Sequence, residues 1–248
     1  MSERSRMPPW LFVVWSVVLS VAFPAAAAQD QALGQDINGI YWVSNYSAKI
    51  QPIDGGNPPY TPAATAIYEK NIAAAKANTL EDNARKFCVP DGVPRFLESP
   101  YPFEIVQTPT RKEIHILYEL NHGVRLIQMD RPVPSEQELL ELPYYSGHSV
   151  GHWEDGTLVI QTVGFNDKTF LDNSGAPHTD QLRTVERIRK INGGKQLEDV
   201  ITIHDPGVFT KDWSARFVYE KRTDIRIMDY TCGEKHRDLS SVKGVRIP

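Results

Sequence analysis

The stretch that decides the fold reads GHSVGHWEDGTLVIQTV, residues 147–163. Two runs rich in β-branched and aromatic residues lie on either side of Asp155-Gly156, and Asp-Gly in this setting is the strongest short-range signal for a β-hairpin. A two-residue turn would pair these residues across the two strands: Trp153 with Leu158, Gly151 with Ile160, and Ser149 with Thr162. The stretch therefore predicts an antiparallel hairpin with Trp153, Leu158 and Ile160 on one face.

The same two-residue alternation of side chains continues on both sides of this hairpin, from Tyr101 onward. It runs through these further segments: 103–107, 113–119, 124–129, 182–191, 196–204, 213–220 and, as the last strand, 225–232. A short strand at residues 39–43 precedes them. Short connections join most of these segments, so we predict about ten strands in sequential hairpins. A sandwich and a closed barrel both fit this pattern, and we favour an antiparallel barrel because closure leaves the fewest exposed edges.

Residues 29–248 are predicted to form one mainly β domain with a short helical segment near its start, at about residues 61–88. Thr61-Pro62 has the pattern of an N-cap followed by Pro at the first helical position. The alanine-rich residues 63–77 that follow carry apolar side chains at a spacing suited to one helix face. The helical segment then ends in a turn-rich stretch before the first hairpins.

Residues 1–28 have the layout of a removable secretion signal. Arg4 and Arg6 precede an apolar run over residues 10–23, about 14 residues long and too short to cross a bilayer comfortably. Small residues at 26–28 suit a cleavage site. We therefore predict a periplasmic or secreted protein without stable membrane insertion after cleavage; an uncleaved anchor is the alternative.

The two cysteines, Cys88 and Cys232, are predicted to pair in an oxidising compartment, with two separate buried thiols as the alternative. Cysteines so far apart do not make a closed zinc site without several histidines. His148 and His152 share a face of a strand about 13 Å apart, too far to chelate one ion. We predict no metal site.

The charge pattern and the absent motifs exclude several classes of function. The formal net charge is −4, mixed in sign, and no basic face stands out, which argues against nucleic-acid binding. No glycine-rich phosphate loop, G-x-G-x-x-G, G-x-S-x-G or CxxC occurs. We therefore predict no organic cofactor, and the sequence leaves the oligomeric state open.

Several short motifs resemble those of a large group of exported bacterial proteins of uncharacterised function. They include Cys88-Val89-Pro90, the Gly-His-Ser-Val-Gly-x-Trp stretch that begins at Gly147, Gly164-Phe165-Asn166-Asp167, and Asp205-Pro206. The resemblance covers nearly all of residues 29–248 and implies no activity. The meander also resembles lipocalin-like (calycin) barrels, which implies an internal ligand cavity.

Glu186 is the most suggestive carboxylate. On its strand it alternates with Leu182 and Ile188, which predicts that it points inward. A buried carboxylate that is not paired has a raised pKa, which suits general acid or base chemistry near neutral pH. The alternatives are an outward side chain beside Arg183 and Arg187, or a structural ion pair.

Three further residues are candidates for proton transfer. His178 lies in a long polar loop over residues 165–181, with carboxylates nearby. It is a candidate acid or base, and the alternatives are an exposed loop histidine or one that holds the loop by a hydrogen bond. Asp167 in the same loop would orient such a histidine or end a turn. His148 shares a face with Val150 and is a site residue or a satisfied core histidine.

Aromatic residues on the predicted strands and loop are candidates to line a ligand cavity, although they are also the normal filling of a β core. They are Tyr41, Trp153, Phe165, Trp213 and Phe217. Acid and base groups without a cofactor favour a lyase or isomerase acting on a small hydrophobic, aromatic or alicyclic molecule. A carrier that binds the same molecule without chemistry, and an assembly module with a filled core, are the alternatives.

Overall fold

The computed structural model describes residues 36–140, 144–230 and 232, and the predicted signal at 1–28 lies outside them. Nine strands form a closed barrel in chain order, which confirms the mainly β barrel. They are β1 (Gly39–Val43), β2 (Phe103–Thr108), β3 (Glu113–Tyr118), β4 (Val124–Met129), β5 (His148–Glu154), β6 (Thr157–Val163), β7 (Arg183–Ile191), β8 (Gln196–His204) and β9 (Trp213–Arg222). The predicted last strand is wrong, because the described residues of 225–232 form none.

The β5–β6 hairpin has the predicted register. Trp153 pairs with Leu158, and Ser149 with Thr162. Asp155 and Gly156 have φ angles of 45° and 77°, as a two-residue turn whose twist matches that of the strands requires. The hairpin thereby directs Leu158 and Thr162 into the barrel, where both are buried.

One strand pair departs from the predicted antiparallel order. β4 and β5 run parallel, and only three residue pairs join them, starting at Ile127 with Ser149. The chain between these strands contains the helix α3 (Glu136–Leu140) and is long enough to return to the end of the barrel where β4 began. Residues 124–126 of β4 have no pairing residue on β5 in this register, so the barrel wall is notched there.

The predicted helical segment is present before β2, as α1 (Pro62–Lys76) and α2 (Asn83–Phe87). The Thr61 side chain caps α1 by accepting a hydrogen bond from the Ala64 amide. Aromatic contacts link Tyr60 to Tyr68 of α1 and to Phe209, so the helix packs near the β8–β9 connection.

A 3-10 turn at Arg95–Glu98, here called the cap turn, covers one end of the barrel. The ring of Phe96 stacks on Tyr118 at 4.2 Å between centroids. The Tyr219 hydroxyl donates a hydrogen bond to the Leu97 carbonyl oxygen at 3.1 Å. These contacts fix the cap turn over the inward-facing side chains of β3 and β9.

The predicted disulfide between Cys88 and Cys232 is confirmed. It joins the end of α2 to the segment that follows β9, across 144 positions of sequence. Within the described residues, no helix is long and apolar enough to cross a membrane.

Candidate functional site

A buried ion pair lies inside the barrel. Arg125 on β4 and Glu186 on β7 are 1% and 0% exposed, and the Arg125 Nη1 donates to Glu186 Oε1 at 2.9 Å while Nη2 contacts Oε2. The remaining guanidinium donors reach Ser149 Oγ at 3.0 Å and Thr162 Oγ1 at 2.9 Å. The two-pronged geometry and the hydroxyl partners are what a desolvated pair needs. Glu186 thus points inward, as predicted.

A second carboxyl group, Asp199 on β8, lies beside Glu186. Glu186 pairs with Ile201, two residues along from Asp199, so the two carboxyls are diagonal neighbours on the inner face. Asp199 is fully buried, and neither of its oxygens has a hydrogen-bond partner of good geometry. Burial, and then the charge of Glu186, raises the pKa of Asp199 well above its usual range. Burial and the neighbouring carboxylate therefore favour the protonated, neutral form of Asp199.

Two hydroxyl groups complete this interior cluster. Tyr118 Oη and Thr184 Oγ1 are buried without a hydrogen-bond partner. Burial raises the pKa of Tyr118, so it remains a neutral donor. The interior cluster, comprising Tyr118, Arg125, Ser149, Thr162, Thr184, Glu186 and Asp199, thus pairs one cation with one anion and adds a neutral acid and unused hydrogen-bonding groups.

A groove leads from the surface to this cluster at the notch in the barrel wall. We call it the β4–β5 groove; it has a volume of about 450 Å³, and Arg125 and Ser149 form part of its floor. Val124, Leu126 and Tyr144, which are 60%, 39% and 43% exposed, supply apolar surface at its rim. The groove therefore offers an apolar wall and a polar floor, as small-molecule sites commonly do.

No family model, curated protein or solved structure matches this chain. The resemblance to exported bacterial proteins stays a prediction.

The four predicted proton-transfer residues do not meet in one place. Glu186 belongs to the interior cluster, and His148 lines the β4–β5 groove, where its ring contacts Tyr144 at 4.4 Å. His178 is half-buried in the long loop; its Nδ1 contacts the Thr179 carbonyl oxygen at 3.1 Å, and burial lowers its pKa. Asp167 is exposed. No hydrogen bond or ion pair joins His178 to Glu186 among the described residues.

The five predicted ligand-binding aromatics are also dispersed. Tyr41, Trp213 and Phe217 are buried among the inward-facing side chains of the barrel. Trp153 lines a cavity of about 440 Å³ at the barrel end opposite the cap turn. Phe165 lines a cavity of about 680 Å³ outside the barrel. They therefore serve mostly as core, and no described cavity contains all of them.

Arg125 and Asp199 are the site residues that sequence reasoning missed. In β4 the apolar Val124 and Leu126 face outward while Arg125 faces inward, which is the reverse of the usual pattern. The available signal was parity, because Arg125 alternates in step with Ile127 and Met129, which are both buried. The described residues contain no group of three or more histidine, cysteine, aspartate or glutamate side chains suited to a metal ion.

Glu98 of the cap turn is a further buried acid, and the pH dependence of stability tests how burial changes its pKa. It is 5% exposed, and its Oε2 has no hydrogen-bond partner. Burial, and then the charge of Asp172, raises the pKa of Glu98 to about 8 from an ordinary value of 4.5. Between these pH values the folded chain binds the proton and the unfolded chain does not, so this group lowers stability as the pH rises.

We expect Glu98→Gln to remove this pH dependence. Relative to the wild type, its free energy of unfolding should rise by about 1–3 kcal/mol between pH 5 and pH 8. Urea unfolding at a series of pH values measures the difference, and Glu69→Gln on the exposed face of α1 is the control. A constant difference across this range would contradict the raised pKa.

Proposed function

We propose that this protein is an exported, cofactor-independent enzyme of lyase or isomerase type that transfers protons on a small molecule. The single observation that carries the proposal is the Glu186–Asp199 carboxyl pair inside the barrel. One member is a carboxylate paired with Arg125, and burial and the neighbouring charge raise the pKa of the other, which favours its protonated form. A base and an acid side by side, shielded from water, are the groups that proton-transfer chemistry needs.

The β4–β5 groove supports the choice of substrate class. Its rim side chains Val124, Leu126 and Tyr144 favour an apolar or ring-shaped body. Its floor at Arg125 and Ser149 favours an oxygen-bearing end. In this proposal the reacting end enters between Arg125 and Ser149 and reaches the carboxyl pair beyond them.

The proton balance requires no cofactor. Glu186 would accept a proton from a carbon of the substrate, and Asp199 would give its own proton to another substrate atom. The pair then holds one proton, as before, and no electron is gained from or lost to another molecule. Either a moved double bond or an eliminated group is consistent with this balance, which is why the proposal covers isomerase and lyase chemistry.

A carrier without chemistry is the second candidate. The observation that favours it is that Glu186 and Asp199 do not line the β4–β5 groove, whereas Arg125 and Ser149 do. A ligand that remained in the groove would meet hydrogen-bonding groups but no acid. The two candidates therefore share the binding site and differ in whether the carboxyl pair acts.

Asp199→Asn is the variant that separates these candidates. Molecules that co-purify with the protein are identified by mass spectrometry, and their turnover is followed in the wild type and the variant. Asparagine has the charge and shape of a protonated aspartate but lacks the acidic proton that Asp199 would transfer. We expect turnover to fall by about a hundredfold with binding retained. Asp212→Asn, an exposed carboxylate on the surface, is the isosteric control.

An infrared measurement tests the acid without any substrate. The wild type at pH 7 should show the C=O stretch of a protonated carboxyl group, and Asp199→Asn should lack that contribution. Bound ligand that the wild type does not turn over would support the carrier, and unchanged turnover in Asp199→Asn would refute Asp199 as the acid. If the wild type and Asp199→Asn gave the same absorbance in the C=O stretch of protonated carboxyl groups, the protonated form of Asp199 would be refuted.

A further inference from the structure

A second built cavity lies beside the disulfide, on the outside of the cap turn. It has a volume of about 390 Å³, within the range of about 300–1,000 Å³ typical of small-molecule sites. Tyr46, Tyr101 and Tyr230 contribute aromatic surface to its wall, and Cys232 lies at its edge. The cavity shares none of its lining residues with the β4–β5 groove.

The polar side of this cavity is held rigidly by Arg95, which is 2% exposed. Its Nε donates to Asn173 Oδ1 at 2.9 Å and lies 3.1 Å from Asp91 Oδ1. Its other nitrogens donate to the two carboxylate oxygens of Asp82 at 3.0 and 2.7 Å. Asn173 and Asp91 are thereby fixed in the cavity wall, and the Asn173 amide nitrogen is not used by the Arg95 contact.

Asn121 also lines this cavity, in a left-handed turn with φ of 56°. Its Oδ1 is buried without a hydrogen-bond partner, although its amide nitrogen lies 3.5 Å from the Val89 carbonyl oxygen. It is the one lining residue of this cavity, among those the structure describes, with such an orphaned side-chain atom. An unsatisfied acceptor in a residue that lines the cavity is a group that a hydroxyl donor of a ligand would satisfy.

The two arginines that line the cavity already have carboxylate partners. Arg85 lies 3.3 Å from Asp82, and Arg95 contacts both Asp82 and Asp91. Neither an anionic nor a cationic ligand gains from such a balanced set. The cavity therefore favours a neutral ligand.

We propose that this cavity binds a neutral carbohydrate. A pyranose ring has an aliphatic C–H face that packs on aromatic side chains, and a rim of hydroxyl groups that both donate and accept hydrogen bonds. The tyrosines supply the first kind of surface, and Asn121, Asn173 and Asp91 supply flat polar groups for the second. A site of this kind is independent of the proton-transfer proposal, because it uses other residues.

Binding of cellotriose and of tri-N-acetylchitotriose to the full chain tests the proposal, by calorimetry and by amide chemical-shift changes. We expect one of these neutral sugars to bind and to shift the amides of Tyr46, Asn121 and Asn173. Asn121→Gly keeps the left-handed turn but removes the amide, and Tyr46→Leu removes an exposed ring. Each should weaken binding by about tenfold.

Tyr144→Leu is the matched control, because this tyrosine is similarly exposed but lies in the β4–β5 groove. It should leave the binding of both sugars unchanged. If neither sugar bound at millimolar concentration, the carbohydrate site would be overturned. The same holds if the affinity for the sugar were unchanged in both Asn121→Gly and Tyr46→Leu. Binding of p-cresol in place of the sugars would also overturn it, in favour of an aromatic-ligand site.

Discussion

Replacing Arg125 by methionine is expected to lower the free energy of unfolding at pH 7 by about 3–5 kcal/mol, the range for breaking one side of a buried ion pair. Methionine fills a similar volume without charge, so packing is largely kept. The variant leaves Glu186, which is 0% exposed, without its cation and beside a second acid. Urea unfolding followed by tryptophan fluorescence measures the effect.

The double variant Arg125→Met with Glu186→Leu separates lost charge balance from lost packing. Removing both members leaves no unpaired charge, and buried pairs replaced by apolar groups are often neutral or stabilising. We therefore expect the double variant to recover most of the lost stability. If the free energy of unfolding of Arg125→Met were within about 1 kcal/mol of the wild-type value, as for exposed ion pairs, water would have to reach Glu186.

Replacing Cys88 and Cys232 by alanine is expected to lower the free energy of unfolding by about 2–5 kcal/mol. The disulfide closes a loop of 144 positions, and so restricts the unfolded chain far more than the folded one. Thermal or urea unfolding of the oxidised wild type and the double alanine variant gives the difference.

Reductant provides the control for this experiment. It should shift the unfolding midpoint of the wild type toward that of the alanine variant and leave the variant unchanged. Equal midpoints for the oxidised wild type and the variant would mean that the unfolded chain is already compact enough for the crosslink to make no difference.

Local sequence patterns predicted those parts of the fold that depend on neighbours along the chain. The register of the β5–β6 hairpin follows from the Asp155-Gly156 turn. The inward direction of Glu186 follows from its alternation with Leu182 and Ile188, and all three are buried. A two-residue period and a turn type are sufficient for such predictions.

The parts that were missed depend on distant contacts. Alternation shows which residues of β4 share a face, but the outward Val124 and Leu126 are as apolar as the inward side. Parity with Ile127 and Met129 hints at the inner face, and the pairing of Arg125 with Glu186, 61 positions away, establishes it. The parallel direction of β5 likewise depends on where a long connection returns, which local periodicity does not encode.

The single parallel seam divides the barrel into two meanders, β1–β4 and β5–β9, that meet again between β1 and β9. Arg125 belongs to the first meander, and Glu186 and Asp199 belong to the second. Within the interior cluster, the first half contributes the cation and the second half the anion, so neither half contains the partner of its own charge. A misaligned or half-assembled barrel would leave a guanidinium or a carboxylate unpaired in an apolar setting, which is unfavourable. The ion pair across the two halves therefore favours the one closure in which both charges are matched.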